Sequence, residues 1–410
     1  MTRVNADRLR ADFEQLSAIG ATPDGGVRRT TFSDAHLQAR AWFHERARAA
    51  GLQTRVDAAG NHSAVLPGAS ANARTLLLGS HLDTVPTGGR YDGALGVLAA
   101  LEVLRAVKDA GLELPISLEA VDFTDEEGTL VGLLGSWALA GALTPEILRA
   151  PRGGREALLD GLARVQLSEQ RLGDARRDPA QLAGYLELHI EQGPVLVRER
   201  AEIGVVTAIA GSRSYRLSFE GTRRHAGTTP MDARRDALLG AARFAISVRE
   251  TVVRDFPSCV GTVGGVEVER AAFNVVPGLT RLVLELRAPD DRLLDALEAA
   301  ILAAARDGAA AAGLELAVEP VGRWAVAEMQ PSMRHAVTEA AGRLGLSTLE
   351  LVSGAGHDAQ ALAAVTPTGM IFVPSVDGIS HDPTEHTHWR DCVNGANVLL
   401  AAAVSVAQPT

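Results

Sequence analysis

The chain has 410 residues, of which 46% are hydrophobic and 22% are charged, and its formal net charge is -10. This length is enough for two domains, and the composition is that of an ordinary globular protein. The acidic balance argues against nucleic acid as a partner, because phosphate binding needs clustered basic residues.

We also expect no membrane partner, because no apolar run reaches the roughly 20 residues of a membrane helix. The first residues lack the apolar segment of a signal peptide. The two cysteines, Cys259 and Cys392, are far apart in the sequence and lie in no ligand-spaced motif. Together these features predict a cytoplasmic protein without a disulfide framework.

The first elements are two helices over residues 5–19 and 34–50, followed by short strands near 52–57 and 62–66. The second helix has Ser33 as its N-cap and Gly51 as its stop signal. These elements carry no residue that we assign to chemistry.

Residues 75–109 predict a strand, a polar loop and a helix, which is how open α/β sheets build sites at the carboxyl ends of strands. His81 and Asp83 end the strand, and their spacing places both side chains on one face. Asp83 could orient His81 as a metal ligand, and Asp92 in the loop offers two oxygens that could bridge two ions. Taken alone, these residues could also be solvated turn residues, since a short motif is a weak signal.

The next strand, 116–123, ends in Thr124-Asp125-Glu126-Glu127-Gly128. A charge run is usually a solvated loop. The functional alternative is that one glutamate binds a metal ion while its neighbour stays free as a general base. Residues 142–182 predict scattered helical pieces to which we assign no role. A further strand ends near His189, which could be a core histidine or another ligand.

After about residue 210 the pattern changes to strands and helices in the order β-α-β-β-α-β, typical of a ferredoxin-like insert, with its first helix over 233–253. This arrangement leaves one sheet edge open, which favours pairing with a second copy of the chain. We therefore predict a catalytic domain in two parts, residues 1–210 and 323–410, with an inserted domain over 211–322.

The last part adds a glycine-rich turn, SGAGHDA at 353–359, and GISHDPTE at 378–385. His381 is a further candidate ligand, and Glu385 lies close enough in sequence to orient it. The predicted metal ligands are His81, Asp92, Glu127, His189 and His381. They suffice for two divalent ions that share one carboxylate. No thiolate is among them, which favours Zn, Mn, Co or Ni.

The sequence resembles the dinuclear metallopeptidase-like amidases of the M20 type. Within them it resembles the hydantoinase/carbamoylase branch, which contains N-carbamoyl-L-amino acid amidohydrolases, β-ureidopropionases and allantoate amidohydrolases. The motifs that carry the resemblance are, in chain order, GSHLDTVPTGGRYDGALGVL, DFTDEEG, YLELHIEQGPVL, RRHAGTTPM, FNVVPG, SGAGHDA and ISHDPTEHT. The resemblance implies a metallopeptidase-like catalytic α/β domain with an inserted ferredoxin-like α+β lid and dimerisation domain.

The resemblance also implies roles for individual residues. One ion would bind His81, Asp92 and His189, and the other Asp92, Glu127 and His381. Glu126 would be the general base, Asp83 would orient His81, and Glu385 would sit behind His381. The implied substrate contacts are Gln192, His225, Asn274 and Arg287, with Gly356 and His357 lining the pocket. His225 would also stabilise the oxyanion, and Arg287 suits a carboxylate because its planar fork bonds both oxygens.

The implied reaction is hydrolysis of N-carbamoyl-L-amino acids to the amino acid, carbon dioxide and ammonia by a homodimer. Allantoate, ureidoglycolate and β-ureidopropionate remain alternative substrates, because each presents a carboxylate and a ureido group. A peptidase or N-acyl amino acid deacylase is a more remote alternative. A non-catalytic binding protein is disfavoured, because every implied ligand and Glu126 are present.

Overall fold

The computed structural model describes residues 2–70 and 72–408. It divides into two compact units, unit 1 comprising Met1–Thr207 with Ala327–Thr410, and unit 2 comprising Ala208–Val326. The sequence predicted divisions after residues 210 and 322, whereas the observed divisions follow Thr207 and Val326. None of the helices in the described ranges is both long and apolar enough to cross a membrane.

The two kinds of element alternate along much of the chain. The strands are β1 Gln53–Val56, β2 His62–Leu66, β3 Thr75–His81, β4 Ser117–Phe123, β5 Leu182–Ile190, β6 Ile203–Ile209, β7 Gly211–Glu220, β8 Arg224–His225, β9 Val260–Val268, β10 Val275–Val276, β11 Leu279–Ala288, β12 Glu315–Trp324, β13 Ala327–Glu328, β14 Thr348–Ser353 and β15 Thr368–Val373. The α-helices are α1 Ala6–Ala18, α2 Asp34–Ala49, α3 Ala94–Asp109, α4 Leu134–Ala140, α5 Pro145–Arg149, α6 Arg155–Arg164, α7 Val195–Glu199, α8 Ala237–Asp255, α9 Asp291–Ala311, α10 Pro331–Arg343, α11 Asp358–Leu362 and α12 Trp389–Ala407.

Unit 1 is built on a mixed sheet in which the strand order is β1-β2-β4-β3-β5-β15-β6-β13, with β14 paired to β6. The four central strands are parallel to one another and lie in the order β4, β3, β5 and β15. Strands β2 and β6 flank them in antiparallel pairing. The carboxyl ends of four adjacent parallel strands therefore share one edge of the sheet, where an α/β fold places its site.

Helix α3 forms the centre of the unit 1 core. Its apolar residues, among them Leu95, Leu98, Leu101 and Leu104, are buried. The helix contacts β3, β4 and β5 as well as α1 and α12. Such a helix, apolar on nearly all sides, is stable only inside a core. The strand, loop and helix predicted for residues 75–109 are confirmed, and the loop that carries Asp92 is anchored to a buried helix.

Unit 2 is a four-stranded antiparallel sheet with the order β12-β7-β11-β9. One face of the sheet packs on α8 and α9, with Leu217 and Leu284 among the strand residues of this core. The order of elements confirms the predicted ferredoxin-like β-α-β-β-α-β pattern, and with unit 1 it confirms the α/β fold class.

One helix boundary in unit 2 differs from the prediction. The helix expected over 233–253 begins at Ala237, because the Asp236 carboxylate accepts the N–H groups of Leu238 and Leu239 and so caps it there. The preceding residues Met231–Ala233 form a separate 3-10 turn. A capping aspartate inside a run of helix-forming residues was the signal that the sequence prediction passed over.

Candidate metal centre

The carboxyl ends of β3 and β5 bring two histidines together. His81 ends β3, and His189 lies one residue before the end of β5. The Nδ1 atom of His81 is 3.0 Å from the main-chain oxygen of Asp83, and Nδ1 of His189 is 2.9 Å from that of Ile190. Because each Nδ1–H donates to a carbonyl oxygen, each ring presents an unprotonated Nε2 to the site, as a metal ligand must.

Asp92 joins two groups of potential ligands. Its Oδ1 atom lies 3.4 Å from His81 Nε2 and 3.1 Å from His189 Nε2. Its Oδ2 atom lies 3.4 Å from His381 Nε2, which is itself 3.4 Å from Glu127 Oε2. Within each group the ligand atoms are all within 4.8 Å of one another. The structure thus brings together all five predicted ligands around one shared carboxylate.

The electrostatics of the cluster fit a pair of cations. Burial, and then the nearby Asp92 carboxylate, raise the pKa of Glu127 to about 7. Burial also raises the pKa of Glu126 well above its usual value, and the charge of Glu127 adds to this effect. Buried carboxylates at this density are costly unless a positive charge compensates them. The nitrogen and oxygen donors are those that borderline divalent metals prefer.

Glu126 lies beside the cluster as the predicted base requires. Its Oε2 atom is 3.6 Å from Nε2 of His81, and its side chain is nearly buried. The Asp83 carboxylate accepts the N–H groups of Glu126 and Glu127, each at 3.3 Å. Asp83 Oδ1 is 3.8 Å from His81 Nδ1, so the close contact to His81 is made by the Asp83 carbonyl. The Asp83 side chain instead holds the loop that carries Glu126 and Glu127.

Sequence reasoning missed several residues that shape this loop. Asp125 has φ +59, and its carboxylate accepts the N–H groups of Leu130, Val131 and Gly132 at 2.6–2.9 Å. Thr31 places its hydroxyl 3.0 Å from Asp83 and 2.8 Å from Asp125. Asp125 therefore builds the turn, and it belongs to neither group of potential ligands. The sequence signal for this role is weak, because a short turn has too few residues to show a pattern.

A buried ion pair joins the loops that follow β3 and β4. Nε of Arg40, in α2, donates to Asp122 at 2.7 Å, and Asp122 accepts the Leu82 N–H at 2.8 Å. Arg40 also donates to the Thr124 hydroxyl at 3.0 Å. A charged residue three positions before the buried Phe43, on the apolar face of α2, was the available sequence signal.

Three polar side chains bind the Asp92 carboxylate and the main-chain N–H groups beside it. Glu385 accepts the N–H of Tyr91 at 2.9 Å and that of Asp92 at 3.1 Å. The Ser380 hydroxyl lies 2.9 Å from both the Asp92 and Glu385 carboxylates. Gln192, predicted to bind substrate, donates to Asp92 Oδ2 at 2.7 Å. Glu385 thus supports the shared ligand Asp92 as well as lying near His381.

His357 and Gly356 lie in the turn after β14. His357 is buried, with its Nε2 atom 2.9 Å from the Ser353 hydroxyl. Its ring packs edge-on against His189, with 4.5 Å between the ring centroids. The structure therefore places His357 against the predicted ligand His189, and its substrate contact stays a prediction.

The remaining predicted substrate residues belong to unit 2. His225 on β8 pairs with Val275 on β10, and the Asn274 carbonyl accepts the Ala226 N–H at 2.8 Å. His225 and Asn274 are therefore close together. Arg287 on β11 forms an ion pair with Glu285, with a shortest distance of 2.6 Å. Their substrate contacts stay predictions.

Residues 142–182, which the sequence left without a role, fold into α5, α6 and two 3-10 turns. The Gly153 N–H donates to the Leu130 carbonyl at 2.7 Å, and Arg152 lies 3.4 Å from the Glu127 carbonyl. This segment therefore packs against the loop that carries Glu126 and Glu127.

Gly93 gives a direct test of the His81 position. It has φ +62, and a Cβ atom there would lie 2.5 Å from three atoms of the His81 ring. We expect Gly93→Ala to displace His81 and to abolish most activity. Metal occupancy, measured by elemental analysis, should fall to less than one ion per subunit. Gly111 has the same φ of +62 but nothing within 4 Å of its Cβ position. Gly111→Ala should therefore keep both ions, and equal metal loss in the two variants would contradict the steric explanation.

Comparison with known proteins agrees with this geometry. Residues 77–405 match the model of peptidase family M20/M25/M40. An N-carbamoyl-L-amino acid amidohydrolase of Geobacillus stearothermophilus is 37% identical, over 99% of each chain. A ureidoglycolate hydrolase of Oryza sativa subsp. japonica is 33% identical, over 97% of this chain and 84% of the relative.

A solved structure agrees as well. The crystal structure of an amidase of the hydantoinase/carbamoylase family from Burkholderia multivorans is 39% identical, with a TM-score of 0.90 over 100% of both chains. The resemblance to the hydantoinase/carbamoylase branch is thereby confirmed. The chain belongs to peptidase family M20/M25/M40.

Proposed function

We propose that the protein hydrolyses the ureido C–N bond of N-carbamoyl-L-amino acids and releases the amino acid, carbon dioxide and ammonia. The observation that carries this proposal is the pair of ligand groups sharing Asp92, with Glu126 3.6 Å from His81. The Geobacillus relative, 37% identical over 99% of each chain, bears the name of this activity.

The five ligand residues would hold two divalent ions, with Zn, Mn, Co or Ni as the candidates from the donor set. Such a pair lowers the pKa of water and polarises a carbonyl oxygen when bound. The remaining chemistry belongs to side chains. Glu126, whose pKa burial raises, takes the proton of the attacking water and returns it to the leaving nitrogen. The bond from the ureido carbon to that nitrogen breaks, and the resulting carbamate decays to carbon dioxide and ammonia.

We assign substrate recognition to the residues that the family resemblance implies. Arg287 binds the substrate carboxylate with its planar fork. His225 donates to the oxyanion as it develops, which is usually a large electrostatic contribution to catalysis. Gln192, Asn274, Gly356 and His357 complete the contacts.

The free cysteines Cys259 and Cys392 fit a reducing, cytoplasmic compartment.

A second ureido substrate is favoured by one specific observation, the 33% identity to a relative named ureidoglycolate hydrolase. Allantoate, ureidoglycolate and β-ureidopropionate share the carboxylate and ureido groups, so Arg287 and Glu126 would serve them equally. They differ from N-carbamoyl-L-amino acids in the group on the α-carbon or in the length of the chain between the carboxylate and the ureido group.

The deciding experiment measures ammonia release by manganese-loaded protein on N-carbamoyl-L-methionine, allantoate and ureidoglycolate, with N-acetyl-L-methionine as a deacylase control monitored by methionine release. We expect the highest kcat/KM on N-carbamoyl-L-methionine. Preference for allantoate or ureidoglycolate would replace the substrate and keep the site assignments. Cleavage of only the N-acetyl compound would overturn the ureido assignment.

We further propose that the protein is a homodimer through unit 2. Strand β9 is an edge of its sheet, and its Val260 and Val266 are more than half exposed. Helix α8 exposes Leu239, Ile246 and Val253 at a spacing of seven residues, so they form one apolar stripe. An open edge beside an apolar stripe suits a symmetric pairing of two copies.

Light scattering after gel filtration tests the dimer. We expect twice the chain mass for the wild type and a monomer for the double variant Ile246→Asp and Val253→Asp. Val321, 57% exposed on β12 at the opposite edge of the sheet, provides the control. Val321→Asp should stay dimeric. A dimer in the double variant, or a monomeric wild type, would contradict this interface.

A further inference from the structure

One buried carboxylate lies behind the metal ligands and has no part in the reaction described above. Glu187 is on β5, two residues before His189, and its side chain is fully buried. Its Oε1 atom accepts the Ser80 hydroxyl at 2.8 Å, and its Oε2 atom accepts the Ala359 N–H at 2.9 Å. The side chain therefore joins strand β5 to two other parts of unit 1.

Each of these partners is close in sequence to a residue of the site. Ser80 directly precedes the ligand His81 on β3, and Ala359 lies two residues after His357 in α11. We propose that Glu187 is a positioning residue that ties the segment 353–362 to the strands carrying His81 and His189. This inference rests on the proposed function for the role of that segment, in which Gly356 and His357 line the substrate pocket.

A second contact runs between the same two regions. The His357 ring packs edge-on against His189 at 4.5 Å, and the Ser353 hydroxyl holds His357 Nε2 at 2.9 Å. The Glu187–Ala359 bond fixes the chain immediately after His357, so it limits the movement of that ring.

The segment has little structure of its own to keep it in place. Its only helix, α11, has five residues. A single helical turn is unstable in isolation, because nucleation fixes several dihedral angles for one hydrogen bond. The Ala359 N–H is bound by a carboxylate oxygen inside the protein, where leaving a backbone N–H without an acceptor is costly. Glu187 supplies that acceptor and so ties the segment to β5.

The test is amide hydrogen exchange of the manganese-loaded protein, read on peptides that cover 353–362. We expect Glu187→Ala to speed exchange of this segment at least tenfold, because the Ala359 N–H loses its acceptor. Glu187→Gln preserves the shape and one oxygen, and should give a smaller increase. If the alanine variant does not fold, the glutamine variant decides the question, and an increase confined to 353–362 supports the inference.

Glu191 on the same part of the chain is a closely matched control. It is also a buried carboxylate accepting two backbone N–H groups, from Val195 at 2.6 Å and Leu196 at 2.8 Å. Its partners belong to α7 and not to the segment 353–362. Glu191→Ala should therefore leave exchange in 353–362 at the wild-type rate.

A kinetic measurement separates positioning from general stability. We expect the Glu187 variants to raise KM about tenfold while kcat changes less than threefold and both ions remain bound. Wild-type exchange in 353–362 for both Glu187 variants would overturn the inference, as would an equal rise over all of unit 1. Exchange needs no substrate, so it decides this inference even if no ureido compound is hydrolysed and the proposed function fails.

Discussion

Replacing Glu126 by glutamine should lower kcat by a factor on the order of 10²–10⁴, the usual contribution of a positioned general acid–base group. The change keeps the size of the side chain and removes its ability to accept and return a proton. Because Glu126 lies 3.6 Å from His81 and is outside both ligand groups, we expect two ions per subunit to remain. Steady-state kinetics together with elemental analysis measure both quantities.

The neighbouring residue provides the contrast. Glu127 belongs to the group with Asp92 and His381, so Glu127→Gln should lose occupancy of one ion together with activity. Glu146→Gln, on the exposed surface of α5, should change neither. Near wild-type turnover in Glu126→Gln would remove the base assignment, and loss of ions from it would make Glu126 a ligand.

The largest effect on metal binding is expected at Asp92, because this residue alone belongs to both ligand groups. Asp92→Asn retains one oxygen and loses the negative charge, so neither group keeps its full donor set. We expect the affinity for both ions to fall at least 100-fold and activity to fall below detection. Titration of the metal-free protein with manganese, followed by calorimetry, measures the affinity.

Stability gives a second measure of the same change. Ions that bind only the folded protein stabilise it by mass action, so excess manganese should raise the Tm of the wild type and not that of Asp92→Asn. Asp382, next to His381, is exposed and contacts Thr384. Asp382→Asn should bind manganese as the wild type does. Two ions bound to Asp92→Asn with wild-type affinity would contradict the shared-ligand assignment.

The elements around the metal ligands could be predicted because local patterns determine them. The apolar run of β3 and the leucines of α3 have the periods of a strand and a helix, and both elements are observed. Parallel pairing of β3 with β4 and β5 then gathers His81, His189 and the loop with Glu127 at one edge. The proximity of the predicted ligands thus follows from strand order once their motifs are recognised.

The supporting contacts could not be predicted from such patterns. Thr31 and Asp125 are 94 positions apart, and Glu385 and Asp92 are 293 positions apart. A side-chain hydrogen bond between residues that are distant in the sequence leaves no periodicity in the sequence. The sequence analysis assigned no role to Asp125, whose positive φ and three N–H contacts make it a turn residue. The contacts of Gln192 and Glu385 to Asp92 and its peptide were missed for the same reason.

The burial of α3 has a consequence for how the enzyme loses activity on heating. Asp92 lies two residues before this helix, which is buried over nearly its whole length in the core of unit 1. Segments of low local stability open separately from the rest of a protein, whereas core elements open only with global unfolding. The shared ligand cannot depart by fraying of a surface loop. Loss of activity through displacement of Asp92 should therefore follow the cooperative melting of unit 1.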